Sequence, residues 1–374
     1  MSGFNAEKAN SRNIMQARFQ GSGYLQSISA ALAFGITILL CFGLMSTATA
    51  QVSFSGTGLP RLADEGSATF LDADGDGDLD LLITGSNGGF GSRSNPTTTI
   101  YENSGGSYSE NTTWKNELED AAVSSVAVKD IDGDGDPDIV MAGAVGNSDE
   151  VAVYENRISE GSGFVKVDNS FPENGLLHVR LADIDQDGDP DMILAQDGLL
   201  YENDGNGNFT KNDAWIQSIP SSTSETAQFA DVDGDGDQDA IFMDESNSGI
   251  YENDGNGTFT ENSSWSQNLT SVDLASVAFT DIDSDGAPDL IITGRNSSSN
   301  VVATAYENEV NGPANSFTVN TSWGANLTGL ERGSLSTGDV DADGDPDVLI
   351  TGEDSNSDAQ TTLYLNTSNS GNRA

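Results

Sequence analysis

The sequence predicts an all-β chain built from tandem four-stranded units, and three observations carry that prediction. One pattern, Asp-x-Asp-x-Asp-Gly-x-x-Asp, occurs six times, starting at Asp72, Asp130, Asp183, Asp231, Asp281 and Asp339, at intervals of 58, 53, 48, 50 and 58 residues. A short apolar run follows each copy, and a second run ending in Tyr-Glu-Asn follows that run in five of the units. No helical periodicity of any length interrupts the series. Tandem units of about fifty residues with four strands each describe propeller blades. The expected fold is therefore a six-bladed β-propeller of four-stranded antiparallel blades.

The first fifty residues stand apart from the repeats. Lys8, Arg12 and Arg18 precede an uncharged apolar run over about residues 28–45, and Ala48-Thr49-Ala50 supplies the small residues of a cleavage site. Residues 1–50 read as a signal peptide cut after Ala50, leaving 51–374 as the propeller. An uncleaved anchor is the competing reading, because the apolar run nearly reaches the ~18 residues of a membrane span. Both readings place the repeats outside the cytoplasm, as a secreted, periplasmic or cell-surface protein, and on the first the mature chain has no membrane span. Cys41 is the only cysteine and leaves with the signal. No disulfide can then staple the mature chain, although export would allow one, and the acidic loops are the candidate staples.

Within each unit the strand before the acidic loop is innermost. The apolar runs 81–83, 139–141, 192–194, 240–242, 290–292 and 348–350 form the second strands, and Tyr101, Tyr154, Tyr201, Tyr251 and Tyr306 stand near the ends of the third. Turns such as Asp204-Gly205-Asn206-Gly207 and Asp254-Gly255-Asn256-Gly257 then signal a hairpin into a short fourth strand. The sixth unit ends after its third strand, at Tyr364, and Gln51-Val52-Ser53-Phe54 looks like a fourth strand such as Gly257-Thr258-Phe259-Thr260. The N-terminal strand is expected to complete the last blade and so remove two open sheet edges.

The acidic loops read as metal sites. In the first, Asp72, Asp74, Asp76, Asp78 and Asp80 stand at positions 1, 3, 5, 7 and 9. Asp130, Asp132, Asp134, Asp136 and Asp138 do so in the second, and Asp183, Asp185, Asp187, Asp189 and Asp191 in the third. The fourth carries Asp231, Asp233, Asp235, Asp237 and Asp239, and the fifth Asp281, Asp283, Asp285, Ala287 and Asp289. Asp339, Asp341, Asp343, Asp345 and Asp347 complete the set. Calcium takes about six to eight hard oxygens, and alternating carboxylates on a tight loop supply them. Position 6 is glycine in all six loops, which permits a sharp turn. Position 7 is expected to ligate through its carbonyl, and the lone substitution, Ala287, falls there. The 29 carboxylates would repel one another strongly without a cation. Magnesium, with its strict octahedral demand, fits poorly. The expected cofactor is Ca2+, about six ions at one per blade.

These residues, strand, acidic loop, apolar strand and then Tyr-x-Asn-Asp-Gly-x-Gly-x-Phe, resemble the FG-GAP/VCBS-type repeat, across essentially the whole mature chain. That repeat builds the calcium-binding propellers of integrin α-subunits and of many secreted bacterial proteins. The Phe-Gly and Gly-Ala-Pro signatures of the integrin version are not clear here, which favours the bacterial type. The resemblance implies fold and metal but no particular ligand.

A net charge of −46 excludes nucleic acid as a partner, since phosphate would be repelled. All four tryptophans fall in Asn-x-x-Trp connections between units: Asn111 to Trp114, Asn212 to Trp215, Asn262 to Trp265 and Asn320 to Trp323. They could rim one face and stack on sugars while the asparagines bond sugar hydroxyls. Alternatively each Trp wedges between blades, the weightier reading for periodic aromatics. The long loops 85–99 and 294–304 are further recognition candidates. His178, the only histidine, and Arg180 lie on an innermost strand as wall residues of the central channel. The mature chain has no cysteine, phosphate loop, zinc motif or Gly-x-Ser-x-Gly elbow, so no enzyme is expected. The expected function is a secreted or cell-surface binding or adhesion module for an extracellular glycan or protein ligand. A carboxylate-based lyase or glycosidase, or a purely structural surface protein, are the alternatives.

Overall fold

A computed structural model describes residues 67–366 apart from segments 87–94, 105–106, 146–147, 168–170, 172–177, 196–197, 221–225, 244–247, 313–314 and 340–343. Blade 1 comprises β1 (Ala68–Leu71), β2 (Asp80–Ser86), β3 (Pro96–Ser104) and β4 (Ser107–Glu110). Blade 2 follows with β5 (Ala121–Lys129), β6 (Asp138–Val145), β7 (Ser148–Arg157) and β8 (Gly163–Val167). Blade 3 holds β9 (Val179–Ala182), β10 (Asp191–Leu194), β11 (Leu199–Asn203) and β12 (Phe209–Lys211). Blade 4 holds β13 (Thr226–Ala230), β14 (Asp239–Met243), β15 (Gly249–Asn253) and β16 (Phe259–Glu261). Blade 5 is β17 (Val272–Thr280), β18 (Asp289–Asn296), β19 (Val301–Asn308) and β20 (Phe317–Val319). Blade 6 shows β21 (Glu331–Gly338), β22 (Asp347–Glu353) and β23 (Ala359–Tyr364). Every blade is an antiparallel meander in strict chain order, and the six form a propeller. The proposed closing strand at 51–54 and the signal peptide at 1–50 lie outside the described residues.

The sequence pattern explains the layering. Strands β6, β10, β14 and β18 are apolar on consecutive residues rather than alternate ones, because both faces of the sheet are covered by neighbouring blades. The outer strands need cover on one side only, and β12 accordingly reads Phe-Thr-Lys with two exposed residues. The core sits between blades rather than inside them. One apolar cluster joins Leu82 and Ile100 of blade 1 to Ile139, Met141 and Phe164 of blade 2. Another joins Ile241 and Ile250 of blade 4 to Leu290, Ile292 and Phe317 of blade 5.

The expectation of a chain without helix needs one correction. Each Asn-x-x-Trp connection winds a single helical turn: Thr112–Lys115, Asp213–Ile216, Ser263–Ser266 and Thr321–Gly324. The preceding asparagine is the N-cap, its Oδ1 accepting two backbone N–H bonds in every case. Four residues are too few to leave a periodic signature. Among the described residues no helix is long and apolar enough to cross a membrane.

Candidate metal centres

Each acidic loop is wound by its own side chains. The position-1 carboxylate accepts the position-6 glycine N–H in all six loops, at 3.1 Å in the first and 2.9 Å in the last. Those glycines sit at φ of +89 to +101°, in the left-handed region that other residues rarely adopt. Position 5 accepts from the position-7 N–H, at 2.8 Å for Asp76 and 3.0 Å for Asp187.

The winding brings carboxylates together. Oxygens of Asp130, Asp132 and Asp138 lie within 4.8 Å of one another, as do those of Asp183, Asp185 and Asp191, and of Asp231, Asp233 and Asp239. In the first and fifth loops the converging sets are Asp72, Asp74 and Asp76, and Asp281, Asp283 and Asp285. Asp341 and Asp343 of the sixth loop lie outside the described residues. Asp78, Asp136, Asp189 and Asp237, with Ala287, place no side-chain oxygen in these sets. Asp136 instead accepts from Ser159 Oγ at 2.6 Å, and Asp237 from the Gln186 amide.

The electrostatics of these clusters favour a nearby positive charge. Burial, and then the neighbouring position-5 carboxylate, raise the carboxyl pKa of Asp74, Asp132, Asp185, Asp233 and Asp283. Asp72 Oδ1, Asp183 Oδ1 and Asp283 Oδ1 are buried without a hydrogen-bond partner. A buried carboxylate oxygen left unpartnered is destabilising unless a cation meets it. These oxygens belong to the same clusters, so the donor set fits a hard divalent cation such as calcium.

Position 9 has a second occupation that spacing did not reveal. Asp80, Asp138, Asp191, Asp239 and Asp289 are all but fully buried. In each, Oδ2 accepts the N–H of position 2 in its own loop, at 2.8–2.9 Å. Oδ1 accepts the N–H of the asparagine that ends Tyr-Glu-Asn, at 2.7–2.9 Å. That asparagine then reaches across to the preceding blade. Asn156 Nδ2 donates to Ala73 O, Asn203 to Ile131 O, Asn253 to Ile184 O, Asn308 to Val232 O and Asn366 to Ile282 O, at 2.7–2.8 Å. The acceptors are the position-2 carbonyls of the loops. Loop, aspartate and asparagine thus join into a hydrogen-bonded relay running from blade 1 to blade 6.

The tryptophans are lodged between blades. Trp114, Trp215 and Trp265 are buried and Trp323 is partly so. Trp215 Nε1 donates to Asn256 O in the next blade's turn at 3.0 Å, and a Cβ on Gly257 would collide with the indole. The N-cap asparagines are partly engaged, since Nδ2 of Asn111, Asn212, Asn262 and Asn320 donates one bond each to Glu102, Glu202, Glu252 and Glu307, leaving one of the two amide N–H groups of each.

A propeller that repeats an Asp-rich loop from blade to blade defines a class of repeat proteins in which the acidic loops are part of the architecture. The chain belongs to the FG-GAP-like repeat family, whose model matches residues 72–141, 130–194, 183–242, 231–292 and 281–350. Among solved structures it is similar to an Agrocybe aegerita lectin described as specifically recognising non-reducing terminal N-acetylglucosamine. The TM-score is 0.52 at 18% identity, over 82% of this chain and 78% of the lectin chain. At that identity the likeness shows a shared fold. No curated protein matches the sequence.

Proposed function

We propose that the chain is an exported, calcium-stabilised propeller that acts as a binding module for an extracellular glycan or protein. The observation that carries the calcium reading is the set of orphaned, buried oxygens on Asp72, Asp183 and Asp283, each inside a carboxylate cluster. The aspartates at positions 1, 3, 5 and 9 would hold the ion, whose charge offsets their mutual repulsion. Binding rather than catalysis is supported by the shared fold with a lectin and by the absence of a catalytic motif in the sequence. Export is supported by the leader-like residues 1–50.

Calorimetric titration of calcium into metal-free protein, paired with melting curves, tests the metal. Extracellular modules bind calcium at roughly 10⁻⁴–10⁻³ M. Millimolar calcium should then raise the melting temperature, each site adding about 1.4 kcal/mol at ten times its Kd. Identical melting curves in chelator and in calcium would overturn the reading. A glycan array probed with and without calcium tests the binding role, with calcium-dependent capture expected.

A further inference from the structure

A cavity of about 400 Å³ opens where the first strands of blades 2, 3 and 4 meet the acidic loops of blades 3 and 4. It is lined by Lys129 of β5, Arg180 of β9, and Gln228 and Phe229 of β13, with Gln186, Gln238 and Asp183 from the loops. A size of this order suits one small molecule.

Its chemistry is at odds with the rest of the protein. In a chain of net charge −46, most of the described cations have carboxylates at hand, Lys211 being an exposed exception. Arg157 pairs with Glu155, Lys166 with Glu119 and Glu150, and Arg295 with Asp273 and Glu331. Among the described residues neither Arg180 nor Lys129 pairs with any carboxylate. Among the described residues the Arg180 guanidinium donates to Val179 O at 2.9 Å and to Gln228 Oε1 at 3.3 Å. A guanidinium has five N–H donors, so most of its donors find no protein partner among the described residues. Burial lowers the Arg180 pKa, although the side chain keeps part of its surface open to solvent. His178 keeps accessible surface within the channel yet is crowded by the blades. That crowding, and then Arg180, push its pKa down to about 4. It is neutral at pH 7 and adds no competing cation.

Blade 3 is built differently from its neighbours at this spot. The place of Arg180, three residues before the loop, holds Thr69, Ala127, Gln228, Ala278 and Ser336 in the other blades. Gln186 stands at φ +62°, as Ser284 does in the fifth loop, where three other loops have Gly75, Gly133 and Gly234. A long side chain in the left-handed region is strained, and such strain gathers at ligand sites.

We infer that this cavity binds a single acidic sugar, a uronate, with Arg180 and Lys129 receiving the carboxylate. A bare oxyanion would need only the two cations. The glutamine amides supply donors and acceptors for ring hydroxyls, and Phe229 an apolar patch for a sugar face. Asp183 belongs to the third cation loop, where the ion offsets its charge. The inference rests on the binding-module reading and names its ligand class.

The test titrates the calcium-loaded chain with glucuronate and galacturonate, using glucose and acetate as paired controls. A uronate should bind at least tenfold more tightly than either control. Arg180→Met should lower that affinity at least tenfold, and Lys129→Met, an exposed residue, about threefold. If Arg180→Met does not fold, Lys129→Met and Gln238→Ala decide instead. Unchanged uronate affinity in folded variants, or acetate binding as tightly as uronate, overturns the inference. Capture of neutral glycans that these variants leave intact sinks it too, while sparing the binding-module reading.

Discussion

Replacing Asn253 with alanine probes the relay at a single link. The Asn253 amide is 2% exposed and donates to Ile184 O at 2.7 Å and to Gln238 O at 3.2 Å. Its Oδ1 accepts the Gly255 N–H at 3.3 Å. Alanine removes all three bonds and keeps the backbone bond to Asp239. Ile184 is fully buried, so its carbonyl cannot turn to water, and leaving it unpaired costs about 2 kcal/mol. The two longer bonds lie nearer the surface and contribute about 0.5 kcal/mol each. The expected loss is about 3 kcal/mol, or a fall of roughly 6 °C in melting temperature for a chain of this size. The assay is denaturant unfolding in saturating calcium, with Asn256→Ala as control. Asn256 is exposed and its amide bonds only within its own turn, so the control should stay within about 0.5 kcal/mol of the parent. The reasoning fails if Asn253→Ala unfolds at the same denaturant concentration as the control.

Trp215→Ala should cost about 3–5 kcal/mol, as other large-to-small core changes do, and leave glycan capture by the folded fraction unchanged. A mutant that melts like the parent but loses glycan would return the indole to the ligand face. The pH dependence of metal-free protein should run opposite to the usual acid denaturation. Burial holds Asp138, Asp191, Asp239 and Asp289 up at about 7 and Asp80 at about 6, against the pull of their backbone N–H donors. A carboxyl whose folded pKa exceeds its unfolded one stabilises the fold fully below the unfolded value, near 4, and loses this as pH rises through 7. Melting temperature in calcium-free buffer should therefore fall between about pH 5 and pH 8. A rise over that range would contradict the burial of these groups in uncharged form.

Much of the fold was legible because its signals are local. An aspartate at every second place, a glycine at position 6 and an apolar triplet after position 9 report one turn and one strand without help from distant residues. What escaped depends on partners far along the chain. The asparagine of Tyr-Glu-Asn is visible as a repeated letter, but its acceptor lies 72 residues away for Asn203 and 69 for Asn253. No spacing rule links them. The spacing gave position 9 as a candidate ligand, but its role as a double acceptor of backbone N–H groups was illegible, since one of those donors lies on a different strand. The capping role of the asparagines before the tryptophans escaped because single helical turns are too short to announce their caps. Arg180 was placed in the channel by its strand, whereas its company with Lys129 and Gln228 required three blades to be set side by side.

The relay has a consequence for how injury spreads. Each asparagine clasps the loop of the blade before it, and no link of this kind points the other way among the described residues. A loop that loosens its position-2 carbonyl therefore deprives the following blade of an anchor and takes no such anchor from the preceding one. The freed asparagine is held by its own buried aspartate, whose other oxygen steadies the next loop's position-2 N–H, so the slack passes onward. The ring has a sense of rotation, and failure at one acidic loop should travel around it in the direction of the chain.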